Sequence, residues 1–108
     1  QIKLYDPFFY PDKSYLNFQY DYIFSCEVFE HFYHPKIEIE NLLQILKPQG
    51  RLLIMTHLHD GVSNFLHWYY RKDPTHVFLY SSKTVAYIAS KYQLSGQFQN
   101  NRFIILQK

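Results

Sequence analysis

A chain of 108 residues can build one hydrophobic core and is too short for two independent ones, and with 47% hydrophobic and 20% aromatic residues it is not a disordered segment. The formal net charge is +2 and the Lys and Arg residues are scattered, so the basic stripe of a nucleic-acid binder is missing and no nucleic-acid partner is expected. One cysteine, Cys26, excludes an internal disulfide, and no apolar run reaches the length of a signal or spanning segment, so a cytoplasmic protein with no membrane partner is expected.

Along the chain, Ile2 to Tyr5 reads as a strand that opens without a starting Met or a polar lead-in, which suggests part of something longer. The prolines, Asp and Asn of "DPFFYPDKSYLNFQ" break any period and read as an aromatic loop. "YDYIFS", Tyr20 to Ser25, is a compact apolar run expected as a buried strand. Pro35 suits the first turn of a helix, and Ile39, Leu42, Leu43 and Leu46 form a one-sided stripe ending at Lys47, before Pro48 and Gly50.

"RLLIMT", Arg51 to Thr56, reads as a central strand covered on both faces. The link from His57 to Tyr80 is long for a plain connection and suits a lid. Ser81 or Ser82 can cap a second helix with Val85, Ile88, Ala89 and Tyr92 on one face. "GQFQNNRFIILQK" reads as a hairpin turning at Asn100 and Asn101. Strands alternating with helices predict an α/β domain, mostly parallel with an antiparallel C-terminal hairpin. Ligands then bind beyond the carboxyl ends of the strands, at Asp6, Ser25 to Glu27 and Thr56 to His59.

"THLHDG", Thr56 to Gly61, raises the question of a metal site. His57 and His59 can chelate if the strand continues, but the H-x-H-x-D-H pattern of a zinc hydrolase fails. Asp60 comes one position early, and Gly61 stands where a histidine belongs. Glu27, Glu30 and His31 share one face if their link is helical. Their bland role is to cap and hydrogen-bond around the strand ends. Trp68, Tyr69 and Tyr70 can line a pocket or pack the lid onto the sheet.

The D-x-I-x-x-x-E-V-x-E-H run at Asp21 to His31, L-K-P-x-G-x-L at Leu46 to Leu52 and D-P-T-H at Asp73 to His76 together resemble class I S-adenosylmethionine-dependent methyltransferases. The resemblance implies a Rossmann-like sheet lacking its first strand and helix, so residues 1–108 form a single partial domain starting at strand 2. It implies methyl transfer from S-adenosylmethionine to an oxygen or nitrogen of a small molecule or metabolite. It places Asp6 on the cofactor ribose, Pro7 and Phe8 near adenine, and Ser25, Cys26 and Glu27 along the methionine part.

His31 and His76 become the candidate catalytic bases, since an imidazole titrates close to working pH. Some members of the family use a similar E-x-x-E-H to hold a divalent cation, which here would fall to Glu27, Glu30 and His31, with His76 as partner. The glycine-rich first loop of the family is absent from this chain. Weak or no cofactor binding by the chain alone, inactivity, and homodimer formation through open sheet edges are therefore expected. The alternative is a non-catalytic Rossmann-like nucleotide-binding or oligomerisation module.

Overall fold

The computed structural model describes residues 1–108. Strand β1 (Tyr20–Cys26) leads to helix α1 (Pro35–Ile45) and strand β2 (Leu46–Met55). The short helix α2 (Tyr69–Lys72), helix α3 (Ser82–Lys91) and strands β3 (Ser95–Phe98) and β4 (Phe103–Gln107) follow. The strands form one mixed sheet in the order β1-β2-β4-β3, with β1 and β2 parallel and the other two pairs antiparallel.

The expectation of a mostly parallel sheet is corrected here. Only one of the three pairings is parallel, because Ile2 to Tyr5 joins no strand and the first eighteen residues contain a 3-10 helix at Lys13–Asn17 and an isolated bridge between Asp6 and Tyr10, but no strand. A strand needs a partner for its backbone N–H and C=O groups, and no strand of the sheet pairs with this segment, whose Tyr5 and Lys3 instead lie against the rings of Tyr15 and Phe18.

Local chemistry explains most boundaries. Pro35 opens α1 at its first turn as expected, but the helix stops at Ile45 and Leu46 begins β2, pairing with Tyr20. The Lys108 ammonium closes the end of α1 by donating to the carbonyls of Leu43 and Leu46 at 2.7 and 2.9 Å. Gly50 is required where it stands, because a Cβ there would lie 2.8 Å from the Lys47 carbonyl oxygen. Ser81 caps α3, accepting from the Thr84 N–H at 3.1 Å. The hairpin turns through a side chain, since Asn100 Oδ1 accepts from the N–H groups of Arg102 and Phe103 at 2.8 and 3.0 Å, with no positive φ at Asn100 or Asn101.

Register decides which face is covered. Leu52, Ile54, Ile104 and Leu106 project to one side and pack with Ile39 and Leu43 of α1 and with Val85 and Ile88 of α3. The other face carries Tyr22, Phe24, Leu53, Met55 and Ile105 and has no helix over it, so β2 is buried on one face instead of two. Tyr22 and Phe24 are 65% and 61% exposed as a result. No helix is long and apolar enough to cross a membrane.

Candidate active site

The site forms where β1 and β2 reach their carboxyl ends. After Cys26 the chain turns at Glu27, whose φ of 52° is left-handed and whose N–H donates to the Met55 carbonyl at 2.8 Å. Such a conformation costs a non-glycine residue about 1–3 kcal/mol and persists only where its surroundings hold it. Here Tyr70 donates to Glu27 Oε2 at 2.8 Å, and the Arg102 guanidinium reaches Oε1 at 3.1 Å. Burial alone would raise the Glu27 carboxyl. Hydrogen bonding with Glu30, Tyr70 and Arg102 outweighs it and holds the group below the ordinary carboxylate range.

The turn directs Phe29 and Glu30 inward, through a short 3-10 helix at Phe29–His31. Glu30 is fully buried, and Thr56 donates to its Oε2 at 2.8 Å. Its Oε1 is buried with no hydrogen-bond partner. Burial, with the neighbouring Glu27 carboxyl adding to it, pushes Glu30 up, so of the two acids Glu30 keeps its proton to higher pH.

Thr56 Oγ1 and Tyr70 Oη are 3.1 Å apart, and each hydroxyl has one hydrogen. With those hydrogens directed to Glu30 and Glu27, their own contact has none. A proton on Glu30 releases the Thr56 hydrogen to Tyr70 and completes the chain.

The lid brings in His76. Its Nδ1 lies 2.6 Å from the Tyr70 carbonyl oxygen, and its ring packs against those of Tyr70 and His31, with centroids at 4.1 and 4.9 Å. Its Nε2 lies 3.7 Å from Asp73 Oδ2. His31 Nε2 is 3.7 Å from Glu30 Oε1, the oxygen without a donor. Glu30, His31 and His76 thus each present a ligand atom within 4.8 Å of the others. A carboxylate and two imidazoles suit a divalent ion, and the orphaned Oε1 is the kind of buried atom that one would satisfy. Glu27, expected in the same set, is instead turned to Tyr70 and Arg102.

The remaining expected residues are spread more widely. Ser25 is buried at the end of β1 with an unpartnered Oγ, and Cys26 lies on the open face with its Sγ 3.4 Å from Met55 Sδ. Asp6, Pro7 and Phe8 sit in a surface turn, where Asp6 Oδ1 accepts from Phe8 N and Phe9 N at 2.8 Å each. The second oxygen of Asp6 has no partner in the chain, and the Phe8 ring is exposed.

"THLHDG" proves to be an anchor. Leu58 and His59 donate to the carbonyls of Asn101 and Tyr80 at 2.8 and 3.0 Å, and Asp60 accepts from Ser82 N and Oγ at 2.7 and 2.6 Å. Those bonds hold Asp60 below the ordinary carboxylate range. His57 packs on Tyr70 with ring centroids 4.7 Å apart, and burial, followed by the charge of Arg102, lowers its pKa. His57, His59 and Asp60 do not converge as a ligand set, which removes the zinc-hydrolase arrangement.

Thr56, expected only as a strand end, Tyr70, expected only to line a pocket or pack the lid, and Arg102, not expected at all, complete the site. Each lies far along the chain from the acid it holds: Thr56 is 26 positions from Glu30, Tyr70 is 43 from Glu27, and Arg102 is 75 from Glu27. The strand-end position of Thr56 and the aromatic run at Tyr70 gave a local signal, and Arg102 gave none.

The acids and imidazoles gather at the carboxyl edge of the sheet, where ligands bind in α/β folds. Residues 2–96 match the family described as a methyltransferase domain, which is most of the chain, and the protein belongs to that family. No curated protein and no solved structure matches it.

Proposed function

We propose that the protein is an S-adenosylmethionine-dependent methyltransferase of class I, with a Rossmann-like sheet, that methylates an oxygen or nitrogen of a small molecule. The observation that carries this reading is the convergence of Glu30, His31 and His76 beside Glu27 at the end of β1, within a methyltransferase domain. When bound, S-adenosylmethionine supplies an activated methyl group for in-line displacement. Ser25, with its unpartnered buried Oγ, Cys26 and Glu27 are assigned to its methionine end. The free oxygen of Asp6 is assigned to the ribose, and Pro7 and Phe8 to the adenine.

Glu30, His31 and His76 fit a divalent cation, and a cation there would polarise an acceptor hydroxyl and lower its pKa. Without a cation, the chain itself orients the acceptor and takes its proton, on His31 or on His76. The open sheet face and the unpaired edge of β1 support a further proposal, that two copies associate through β1.

Calorimetric titration with S-adenosylmethionine, for a full-length parent that carries the glycine-rich first loop of the family and for Asp6→Ala and Glu27→Gln in that parent, tests the assignment. Saturable binding weakened about tenfold or more by each substitution is expected, the order of one lost charge-assisted hydrogen bond. Binding unchanged in Asp6→Ala removes the ribose contact, and no binding by the parent removes the cofactor.

A further inference from the structure

We propose that Tyr70 is the positioning residue of the cation site: it selects which nitrogen of His76 faces Glu30, and it docks the lid that carries His76. The proposal rests on the cation reading above. Tyr70 is 4% exposed and belongs to the four-residue helix α2, too short to hold its place by helical hydrogen bonding alone. Its hydroxyl fixes it to the sheet. It donates to Glu27 Oε2 at 2.8 Å, lies 3.1 Å from Thr56 Oγ1 and accepts from the His57 N–H at 3.3 Å. The residues that follow β1 and those that follow β2 therefore meet the lid on one oxygen atom.

The other end of the residue acts on His76. A carbonyl oxygen only accepts, so Nδ1, 2.6 Å from the Tyr70 carbonyl, must carry the hydrogen of the neutral ring. Nε2 then keeps its lone pair and is the ring atom available to a cation. The Tyr70 ring lies against the imidazole, with centroids 4.1 Å apart, and limits its rotation. A histidine ligand whose second nitrogen is held by a carbonyl is the usual means of presenting a ligand atom, and loss of such outer contacts costs about 10- to 100-fold in metal affinity. Freeing the hydroxyl anchor loosens the helix whose carbonyl orients His76, so both functions of Tyr70 depend on the same oxygen.

The test uses the whole chain, with Mn²⁺ as probe. Calorimetry and manganese electron spin resonance are expected to give saturable binding to the parent, and binding at least about tenfold weaker for Tyr70→Phe. Nitrogen-15 NMR of the metal-free parent, at a pH where its imidazoles are neutral, is expected to show His76 in the Nδ1–H tautomer. Equal Mn²⁺ affinity in a folded Tyr70→Phe chain overturns the proposal and leaves the cation reading standing. An Nε2–H tautomer in the parent also overturns it, and needs no variant to fold. Failure of the parent to bind Mn²⁺ removes the cation reading and this proposal with it.

Discussion

The Arg102 guanidinium lies 3.1 Å from Glu27 Oε1 and joins the hairpin turn before β4 to the end of β1 across 75 positions of sequence. That one cation stabilises the charged form of Glu27 and disfavours the charged form of His57. Replacing Arg102 with Gln should raise the pKa of both groups, which proton and carbon NMR titrations would read directly. The pair is partly exposed, so stability should fall by under about 1 kcal/mol. A Glu27 or His57 titration that does not move would show that the pairing is not maintained in solution.

Glu30 and Glu27 respond to pH in opposite directions. The raised pKa of Glu30 gives a contribution fully present below the ordinary carboxylate range and lost as pH rises through its folded value. The lowered pKa of Glu27 gives one present above that range and lost on acidification through its own folded value. Glu30→Gln keeps the neutral shape of the buried side chain and can donate to Glu27. It should stabilise the metal-free protein at neutral pH by about 1–3 kcal/mol, the order of an unsatisfied buried polar group. Mn²⁺ binding should be lost in the same variant, and a urea titration with and without Mn²⁺ measures both. A destabilised Glu30→Gln chain would contradict the burial of an unsatisfied acid.

Leu52 is fully buried at the centre of the covered face, between Ile23 of β1 and Leu106 of β4. Leu52→Ala should cost about 2–5 kcal/mol, and at about 4–8 °C per kcal/mol the melting temperature should fall by at least about 8 °C. Leu53→Ala, its neighbour on the open face, should cost markedly less. Equal losses at the two positions would mean that both faces are covered in solution.

Self-association through β1 predicts an apparent mass that rises with concentration in light scattering. Phe24→Lys places a charge on the open face beside the unpaired edge, and should return the protein to monomer with its circular dichroism intact. A parent that stays monomeric at high concentration would exclude the dimer.

The legible parts of the fold were those governed by local pattern. Pro35 and the Ile39, Leu42 and Leu43 stripe marked α1, Ser81 marked α3, and the turn-forming Asn100 and Asn101 marked the hairpin. Ile2 to Tyr5 looked like a strand because propensity is local, while pairing depends on a partner elsewhere in the chain. Leu46 fitted the helical stripe equally well, but its pairing with Tyr20 drew it into β2. Glu30, His31 and His76 could be read from motif spacing. Arg102 could not, because nothing near it in sequence says that a hairpin turn will fold beside the end of β1.

The lid leaves and rejoins the body at neighbouring points. His59 donates to Tyr80, and Val77 and Phe78 donate to the Glu30 carbonyl at 2.9 and 3.2 Å. Everything between is a closed excursion whose ends stay fastened whatever its middle does. A protease cutting among the exposed residues 63–67 would leave a two-piece protein still held together by the sheet. Lengthening or rewriting that stretch changes the closure entropy by only about 0.6 kcal/mol per doubling. The 63–67 stretch is thus an exchangeable part, free to change while Tyr70, His76 and Glu30 stay as they are.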